Sequence, residues 1–514
     1  MLYVSIHTLG CKLNQLEGEA VAAAFRQEGF PLIPWEGAVS PGLPGIPGLS
    51  DTSRRLMVLN TCTVTSMAEQ KARRLIRAAL REGALVLVTG CYAQLNAREL
   101  AALEEGGPGR LFIIGGDKKS ALLDLPRRLA GGEGEIAARI QAWTLGLRGG
   151  AALRADPAPA EPALDERFRF APLEFSAHTR GFLKIQDGCD RHCSYCRVRL
   201  ARGDCVSLPV GEVLSRLRAL EAAGCMEAVL TGVNICRYAF QAGGPADLGR
   251  LLDLLLGGTE RIRLRLSSLE PEDIDASLLR SLADARLRPH FHLSVQSGSR
   301  RILERMGRSY GPEQVEWALS ELRRLRGDPF VACDIIVGFP GEGEEDFNRT
   351  LELCERSDFA WIHVFPYSPR PGTPAWHFKG QLPQRELGLR ATRLLDLARR
   401  CRRNYVRRWL GREVELIPET KAATRVPGGC PGVAEWSGVG EEDLCAATSE
   451  NYLKLLVPRH WPREDPILRC RVRELPPATG GDAASGRRAF SLGDFDALGE
   501  RLDRATPSAY TFSV

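Results

Sequence analysis

Two groups of three cysteines constrain this chain more than any other feature of its sequence. One group is a compact Cys-x3-Cys-x2-Cys loop formed by Cys189, Cys193 and Cys196. The other group is scattered, and each member follows an apolar run that ends in a turn, at Cys11, Cys62 and Cys91. Three thiolates are one fewer than the four that normally hold an iron-sulfur cluster. Each group is therefore expected to leave one metal position open to a reactant.

The scattered group predicts how the first part of the chain folds. Short apolar runs at residues 2–6, 56–59 and 84–88 alternate with helical patterns. This alternation predicts an α/β domain with a doubly wound parallel sheet over residues 1–130, interrupted by a Pro- and Gly-rich insertion at 31–53. The ends of parallel strands share one edge of a sheet, so the three cysteine turns would meet there. The alternative is three inert core cysteines.

A second, larger domain is predicted over residues 173–410. The preceding segment, 131–172, is rich in Pro, Gly and Ala and is typical of a linker. Six apolar runs then recur with helical intervals, at residues 182–185, 228–230, 262–266, 291–295, 331–337 and 361–365. Six βα units predict a partial (β/α)6 barrel with a lateral mouth, and its active site would lie at the carboxyl ends of the strands.

The end of the chain combines a basic helix with a small β domain. Residues 385–412 contain ten arginines and two acids, and a helical apolar stripe leaves the other face basic. That face favours contact with a phosphate backbone over a merely solvated surface. Residues 411–475 contain strand-like runs at 414–418, 452–457 and 467–472, which predict a small β-barrel. Residues 476–514 have the composition of a partly ordered tail.

Composition indicates a cytoplasmic protein. An odd number of cysteines without regular spacing is unlike a secreted disulfide scaffold and fits a reducing compartment. No run approaches the ~18 apolar residues of a membrane span, so we expect no membrane partner. Zinc is the main alternative for the compact loop, but zinc sites usually pair two Cys-x2-Cys units or add two histidines. The candidates for a fourth zinc ligand are His192, inside the loop, and Cys205.

The compact loop and three later segments resemble the radical S-adenosylmethionine (SAM) superfamily. Residues 188–196 read Gly-Cys-Asp-Arg-His-Cys-Ser-Tyr-Cys, and residues 231–234 read Thr-Gly-Val-Asn. Residues 292–298 and 334–342 are also similar to that superfamily. The resemblance implies a 4Fe-4S cluster on three cysteines, with the amino and carboxylate groups of SAM on the open iron. By position, the candidates for SAM contacts are Gly232, Asn234, Ser267, Glu270 and Gln296.

The scattered cysteines narrow the resemblance to the methylthiotransferases. Residues 9–14, 60–65 and 89–94 read Leu-Gly-Cys-Lys-Leu-Asn, Asn-Thr-Cys-Thr-Val-Thr and Thr-Gly-Cys-Tyr-Ala-Gln, similar to the ligand motifs of a second 4Fe-4S cluster in that family. The β domain, with Glu419 and Asn451, resembles the family's TRAM domain. The resemblance implies that the second cluster is held by Cys11, Cys62 and Cys91.

The first of these motifs is most like the branch that acts on threonylcarbamoyladenosine in tRNA, and Glu17 and Glu19 follow it as in that branch. The isopentenyladenosine branch usually has Gly-Cys-Gln-Met-Asn, and the branch that modifies an aspartate of a ribosomal protein usually has Gly-Cys-x-Lys-Asn. Those two substrates remain alternatives. A non-catalytic RNA-binding metalloprotein is the alternative of another class.

The resemblance also implies a mechanism and partners. The compact cluster would donate an electron to SAM to give methionine and a 5′-deoxyadenosyl radical, which would take the hydrogen from carbon 2 of the modified adenine. The second cluster would supply sulfur, methylated by another SAM. The implied partners are the anticodon region of tRNA, an electron donor and a sulfur donor. Cys205 and Cys236 match no ligand motif, and Asp204 stands where the family often has a basic residue.

Overall fold

The computed structural model describes residues 2–35, 55–104, 109–131, 134–148, 164–171, 180–239, 244–423, 444–458, 468–473 and 497–501. These residues form an N-terminal α/β domain, a central barrel and a C-terminal β-barrel. Within these ranges, no helix has both the length and the apolar content needed to cross a membrane.

The N-terminal domain alternates strands and helices, in the order β1 (Tyr3–Thr8), α1 (Lys12–Gln27), β2 (Arg55–Thr61), α2 (Ser66–Arg81), β3 (Leu85–Gly90), α3 (Cys91–Leu95), α4 (Ala97–Ala101), β4 (Leu111–Ile113), α5 (Leu125–Ala130) and α6 (Ile136–Arg148). The strands form a parallel sheet in the order β1-β2-β3-β4. Every side chain of β2 and β3 is buried, because helices cover both faces.

The order of the chain reverses between β1 and β2. Leu32 pairs with Val4 on the outer side of β1, whereas β2, β3 and β4 follow one another on its inner side. As a result α1 packs on one face of the sheet and α2 on the other. This confirms the predicted doubly wound sheet, and such a reversal is where open α/β sheets bind ligands.

Helix α6 corrects the predicted linker over residues 131–172. Its side chains Ile140 and Trp143 are buried in the N-terminal core, and Phe170 packs with them. The sequence-based prediction missed this helix because the Pro- and Gly-rich composition of the following stretch dominated over its helical spacing. Residues 149–163 of that stretch lie outside the described residues. So do residues 36–53 of the predicted insertion, whereas residues 31–33 pair with β1.

The central barrel contains, in chain order, β5 (Gly181–Lys184), β6 (Gln186–Asp187), α7 (Val198–Arg202), β7 (Val206–Ser207), α8 (Val210–Ala222), β8 (Glu227–Thr231), α9 (Leu248–Gly257), β9 (Arg263–Leu266), α10 (Ala276–Leu282), β10 (His290–Gln296), α11 (Arg300–Met306), α12 (Pro312–Arg326), β11 (Phe330–Val337), α13 (Glu344–Ser357), β12 (Trp361–Pro366) and α14 (Gln384–Trp409). Strands β5, β8 and β9 form one parallel sheet, and β10, β11 and β12 form another. The bridge between Leu269 and Leu293 helps to join them into one curved wall. The predicted partial (β/α)6 barrel is therefore confirmed.

The two faces of this wall have different neighbours. Leu293 and Cys333 pack outward against the surrounding helices. Because side chains alternate along a strand, the adjacent residues His292 and Asp334 face the lumen.

The C-terminal domain is a closed barrel in the order β13-β14-β15-β17-β16, made of β13 (Glu413–Ala423), β14 (Leu444–Ser449), β15 (Lys454–Pro458), β16 (Leu468–Arg473) and β17 (Ala497–Arg501). Strand β17 pairs with β15 and β16, so the prediction of a tail over 476–514 and of a domain ending at 475 is wrong at this strand. Its sequence, Ala-Leu-Gly-Glu-Arg, contains no β-branched residue, so local propensity did not indicate a strand.

The turn between β14 and β15 closes the amino end of the central barrel. Tyr452 has a left-handed backbone, with φ 62°, and its ring centroid lies 4.4 Å from that of His290. Arg265 of β9 donates to the carbonyl oxygens of Ser449 and Glu450, both at 3.2 Å. The C-terminal barrel thus supplies the floor of the lumen.

Helix α14 has the predicted buried stripe, but much of its charge is neutralised. Leu387, Leu394 and Tyr405 are buried along it. At least five of the ten arginines predicted to form a basic face make ion pairs with described acids, namely Arg390, Arg393, Arg399, Arg400 and Arg408. The sequence could not show these partners because most of them lie on other elements of the barrel. RNA contact by this helix remains a prediction, with a smaller available charge.

Glu450 gives the floor turn a pH-dependent stability. Burial raises its pKa from 4.5 to about 7. A carboxyl whose pKa is higher in the folded state costs stability as the pH rises through that interval, from about 4.5 to about 7. We expect Glu450→Gln to raise Tm relative to the unaltered chain at about pH 8, and much less at about pH 5, in thermal unfolding. The exposed Glu313→Gln is the control, and an equal Tm difference at both pH values would contradict the prediction.

Candidate active site

The scattered cysteines meet where the N-terminal sheet ends. Cys11 caps α1, Cys62 follows β2 and Cys91 begins α3. The Cys62 thiol interacts electrostatically with both of the others. A Cβ added to Gly10 would lie 2.7 Å from the Cys62 sulfur, and Gly10 has φ 100°, so this approach requires glycine. Cysteines separated by up to 80 positions thus share one edge of the sheet, as the parallel arrangement predicts.

Side-chain amides hold these turns together. Asn14 Nδ2 donates to the carbonyl oxygens of Leu9 at 2.8 Å and Thr61 at 3.0 Å, and Asn60 Nδ2 donates to the carbonyl oxygen of Asn14 at 3.0 Å. Burial raises the pKa of Cys62 to about 11. A thiol that resists ionisation alone is readily ionised by a metal, because a coordinating thiol loses its proton outright.

The compact triad lies in the loop between β6 and α7. The sulfurs of Cys189 and Cys196 each accept a backbone N–H at 3.4 Å from the residue two positions later. Burial raises the pKa of Cys196 to about 12, and the neighbouring thiols Cys193 and Cys189 add to the shift. The loop has to turn tightly at Gly188, where a Cβ would lie 1.9 Å from the carbonyl oxygen of Asp204.

The sulfurs of each triad are spaced too widely for a single zinc ion. Zn–S bonds of ~2.3 Å would place tetrahedral ligands roughly 3.8 Å apart, yet among the described residues neither triad has all its sulfurs within 4.8 Å of one another. His192 contacts the guanidinium of Arg199 instead of the triad, and the Cys205 sulfur accepts a hydrogen bond from Gln186 Nε2 at 3.1 Å. Three thiols without a fourth protein ligand among the residues that the structure describes fit a larger cluster with one open metal position.

The five residues predicted to contact SAM lie together at the carboxyl ends of β8, β9 and β10, at Gly232, Asn234, Ser267, Glu270 and Gln296. The buried Asn234 Nδ2 has no hydrogen-bond partner in the described part of the chain, as expected of a group that awaits a ligand. Gly232 has a packing explanation, because a Cβ there would lie 2.7 Å from Gln186 Oε1. Gln296 has φ 64°, a conformation that turns the chain away from β10.

Glu270 lies next to the compact triad. It pairs with Arg308 at 2.7 Å, and Arg308 also donates to the hydroxyl of Tyr195 at 2.9 Å. Burial raises the pKa of Glu270, although Arg308 opposes the shift. Cys193 interacts electrostatically with both Arg308 and Glu270, so this pair borders the open side of the compact triad.

A buried carboxylate joins the two triads, which the sequence pattern did not indicate. Glu69 of α2 accepts hydrogen bonds from Thr63 at 2.5 Å, from Arg197 at 3.3 Å and from Arg370. Thr63 and Arg197 each directly follow a cysteine, one from each triad. Acidic residues on helices usually face solvent, so the only local signal for this network was the placement of Thr63 and Arg197.

A second buried network lies on the other side of the triads. Arg202 donates to Asn14 Oδ1 at 2.9 Å, to Asp187 at 3.0 Å and to Glu17 at 3.2 Å. Lys184 also pairs with Glu17, at 3.2 Å. Burial alone would raise the pKa of Glu17, but Arg202 and the neighbouring lysines hold it well below its usual value. Together the two networks fix one triad relative to the other.

Comparison with known proteins identifies relatives along most of the chain. Residues 183–354 match the family model of the radical SAM superfamily, and residues 49–107 match that of uncharacterized protein family UPF0004. A threonylcarbamoyladenosine tRNA methylthiotransferase of Treponema pallidum is 42% identical over 82% of this chain and 92% of that protein. The same enzyme of Thermotoga maritima is 32% identical over 82% and 87%.

A relative of another specificity is more distant. A tRNA-2-methylthio-N(6)-dimethylallyladenosine synthase of Thermotoga petrophila is 30% identical over 81% of this chain and 86% of that protein. Among solved structures, the radical SAM methyltransferase TsrM of Kitasatospora setae has a TM-score of 0.47 at 18% identity, covering 73% of this chain and 75% of its own.

Removal of the Glu69 charge tests the network between the triads. In Glu69→Gln, Arg197 and Arg370 stay buried without their carboxylate, so we expect the free energy of unfolding in urea to fall by about 3–5 kcal/mol. The control is Glu99→Gln, which breaks the more exposed pair with Arg73 at 2.8 Å and should cost at most about 1 kcal/mol. Similar losses in the two variants would show that the buried network does not hold the domains together.

Proposed function

Because the chain belongs to the radical SAM methylthiotransferases, we propose that it replaces the hydrogen on carbon 2 of N6-threonylcarbamoyladenosine, next to the anticodon in tRNA, with a methylthio group. The convergence of Cys11, Cys62 and Cys91 carries this proposal, because it adds a second open cysteine triad to the one that radical SAM chemistry requires. The relative with 42% identity, which has this substrate in its name, supports the choice of nucleoside.

The cysteines are the residues that would hold the cofactors. The compact triad would hold the 4Fe-4S cluster that binds SAM, and the scattered triad would hold the second 4Fe-4S cluster. When bound, these groups supply the radical that removes the hydrogen from carbon 2 and the methylated sulfur that takes its place. The backbone N–H groups directed at the sulfurs of Cys189, Cys196 and Cys62 would stabilise thiolate charge there and tune the clusters' potentials.

The rim of the barrel would bind and orient SAM. Asn234 offers its unpaired Nδ2 as a hydrogen-bond donor. Glu270, held in place by Arg308 at 2.7 Å, offers a buried carboxylate to a cationic ligand, which complements a sulfonium or an ammonium group. Ser267 and Gln296 lie on the neighbouring strand ends. Asn234 and Glu270 are both buried, and exclusion of water there would protect a radical from side reactions.

The proposed partners follow from this chemistry. A tRNA must present an extruded base to the open face of the barrel, and Arg385, Arg403 and Arg407 of the basic helix have no acidic partner within the described ranges. An electron donor and a sulfur donor are required because each turnover consumes reducing power and sulfur. Isopentenyladenosine and a ribosomal aspartate are less favoured, since the named relatives with the highest identity act on threonylcarbamoyladenosine.

Metal analysis tests the two clusters. After anaerobic reconstitution we expect about eight irons per chain, and about four in Cys62→Ala, since each triad holds a four-iron cluster. Cys62→Ala should still cleave SAM but should no longer methylthiolate. Cys225→Ala, which alters a cysteine outside both triads, is the matched control and should keep both activities. Full methylthiolation by Cys62→Ala would refute the role of the scattered triad, and zinc without SAM cleavage would favour a non-catalytic metalloprotein.

Nucleoside mass spectrometry tests the substrate. We expect tRNA from a deletion strain to lack 2-methylthio-N6-threonylcarbamoyladenosine and to accumulate its unthiolated precursor, while methylthiolated isopentenyladenosine stays at its normal level. Restoration by the plasmid-borne gene, and its absence with the Cys62→Ala gene, are the matched controls. Unchanged methylthiolated threonylcarbamoyladenosine would exclude the proposed substrate.

A further inference from the structure

Lys12 is the first residue of α1, directly after Cys11, yet its ammonium group interacts with residues of the two barrels. It interacts electrostatically with Tyr452, Arg265, Arg180 and Glu227, which come from the floor turn and from the barrel side of the interface. Burial lowers the pKa of His290 in β10 and that of His363 in β12, and the charge of Lys12 contributes to both shifts. The side chain is half-buried, so the N-terminal domain inserts a lysine into the lumen beside its own cysteine triad.

No carboxylate in the described part of the chain neutralises this lysine. Glu227 interacts electrostatically with Lys12, but it already accepts hydrogen bonds from Arg265 Nε at 2.6 Å and Arg288 Nε at 3.0 Å. It also lies 3.9 Å from Arg180. Lys12 makes no hydrogen bond or ion pair with any described residue. Glu227 is thus shared by several cations at this end of the lumen, and Arg288 among them also pairs with a second carboxylate, that of Glu415, at 3.0 Å. A cation that is partly removed from water and has no counter-ion is costly, which favours an anionic ligand.

The lumen wall above Lys12 consists of polar groups in fixed positions. Ser268 Oγ and Asp334 Oδ1 bond to the two ring nitrogens of His292, at 2.8 and 2.9 Å. The ring of His363 lies 5.1 Å from that of His292 between centroids. His363 is exposed, and therefore the lumen is open to a ligand at β12. Ser268 adjoins the candidate SAM contact Ser267, so the lumen continues to the rim.

We propose that Lys12 binds the carboxylate of the threonylcarbamoyl group inside the lumen and thereby selects this nucleoside. This inference rests on the proposed function. Threonylcarbamoyladenosine carries a carboxylate on its N6 substituent, whereas the isopentenyl group of isopentenyladenosine offers a lysine nothing to bind. The urea and hydroxyl groups of the threonylcarbamoyl substituent can hydrogen-bond to the wall formed by Ser268, His292 and His363.

The location of Lys12 favours a base substituent over a phosphate of the tRNA backbone. Enzymes that act on a base extrude it into a pocket, while the phosphates stay at the surface. Lys12 is half-buried, and its electrostatic partners are Tyr452 of the floor turn and the strand residues His290 and His363. Its position next to Cys11 also keeps the substituent near the scattered triad, which must face carbon 2 of the same base.

The test uses the reconstituted enzyme and two synthetic anticodon stem-loops. One stem-loop carries N6-threonylcarbamoyladenosine, and the other carries the same group as the threoninamide, which has no charge. We expect the unaltered enzyme to prefer the acid by roughly 10- to 100-fold in kcat/KM, the effect of one charge-assisted hydrogen bond. Lys12→Gln should lower kcat/KM for the acid by a similar factor and change that for the amide by less than about 3-fold. Fluorescence anisotropy should give the same pattern in Kd.

Controls separate this inference from the proposed function. Lys118→Gln, at an exposed site of the same domain, should behave like the unaltered enzyme, and Lys12→Arg should keep a preference for the acid. Iron content and SAM cleavage show whether the clusters survive in Lys12→Gln. If they do not survive, the inference is tested by the unaltered enzyme alone, through its ratio of kcat/KM for the acid to kcat/KM for the amide. Equal rates with both stem-loops overturn the inference, and an equal loss with both in Lys12→Gln would assign Lys12 to a phosphate. Failure of the unaltered enzyme on both stem-loops would instead refute the proposed function.

Discussion

A buried carboxylate clamped by arginines stands at each junction between the domains of this protein. Glu17 and Glu69 join the N-terminal domain to the barrel through Arg202 and Arg197. Glu227 holds Arg265, which in turn binds carbonyl oxygens of the C-terminal barrel. Buried ion pairs contribute little net stability, but removal of one partner is expensive because the other charge stays buried. Such clamps therefore specify geometry, and the chemistry of two separate cysteine triads depends on that geometry.

Much of this architecture could be predicted from the sequence. The strand ends that carry Cys11, Cys62 and Cys91 were predicted to meet because parallel strands share one edge, and they do. Strand periodicity also predicted the six parallel strands of the central barrel. Helix α6 was missed because the Pro- and Gly-rich stretch beside it dominated the local composition, and β17 was missed because its pairing partners, not its own residues, make it a strand.

The candidate site was predictable to a different degree. Cysteine spacing and strand-end position identified the two candidate metal-binding triads, since both are properties of local sequence. The environment of Lys12 was not predictable, because it brings together side chains from three domains that are far apart in the chain. The same holds for the arginines of α14, whose charge the sequence shows but whose acidic partners only the fold reveals. The electrostatic environment of a side chain depends on tertiary structure, whereas the type of metal ligand that it offers can be read from the local sequence.

Strand β17 has a consequence for biosynthesis. It lies between β15 and β16 in the C-terminal barrel, so the edges of those two strands stay unpaired until residues 497–501 leave the ribosome. Contacts of such long range form late and leave open strand edges that can pair wrongly in the meantime. The floor turn of Tyr452 belongs to this barrel, so a nascent chain can display both cysteine triads before its lumen has a floor. Completion of β17 is thus the step in synthesis that closes the lumen beside the two cysteine triads.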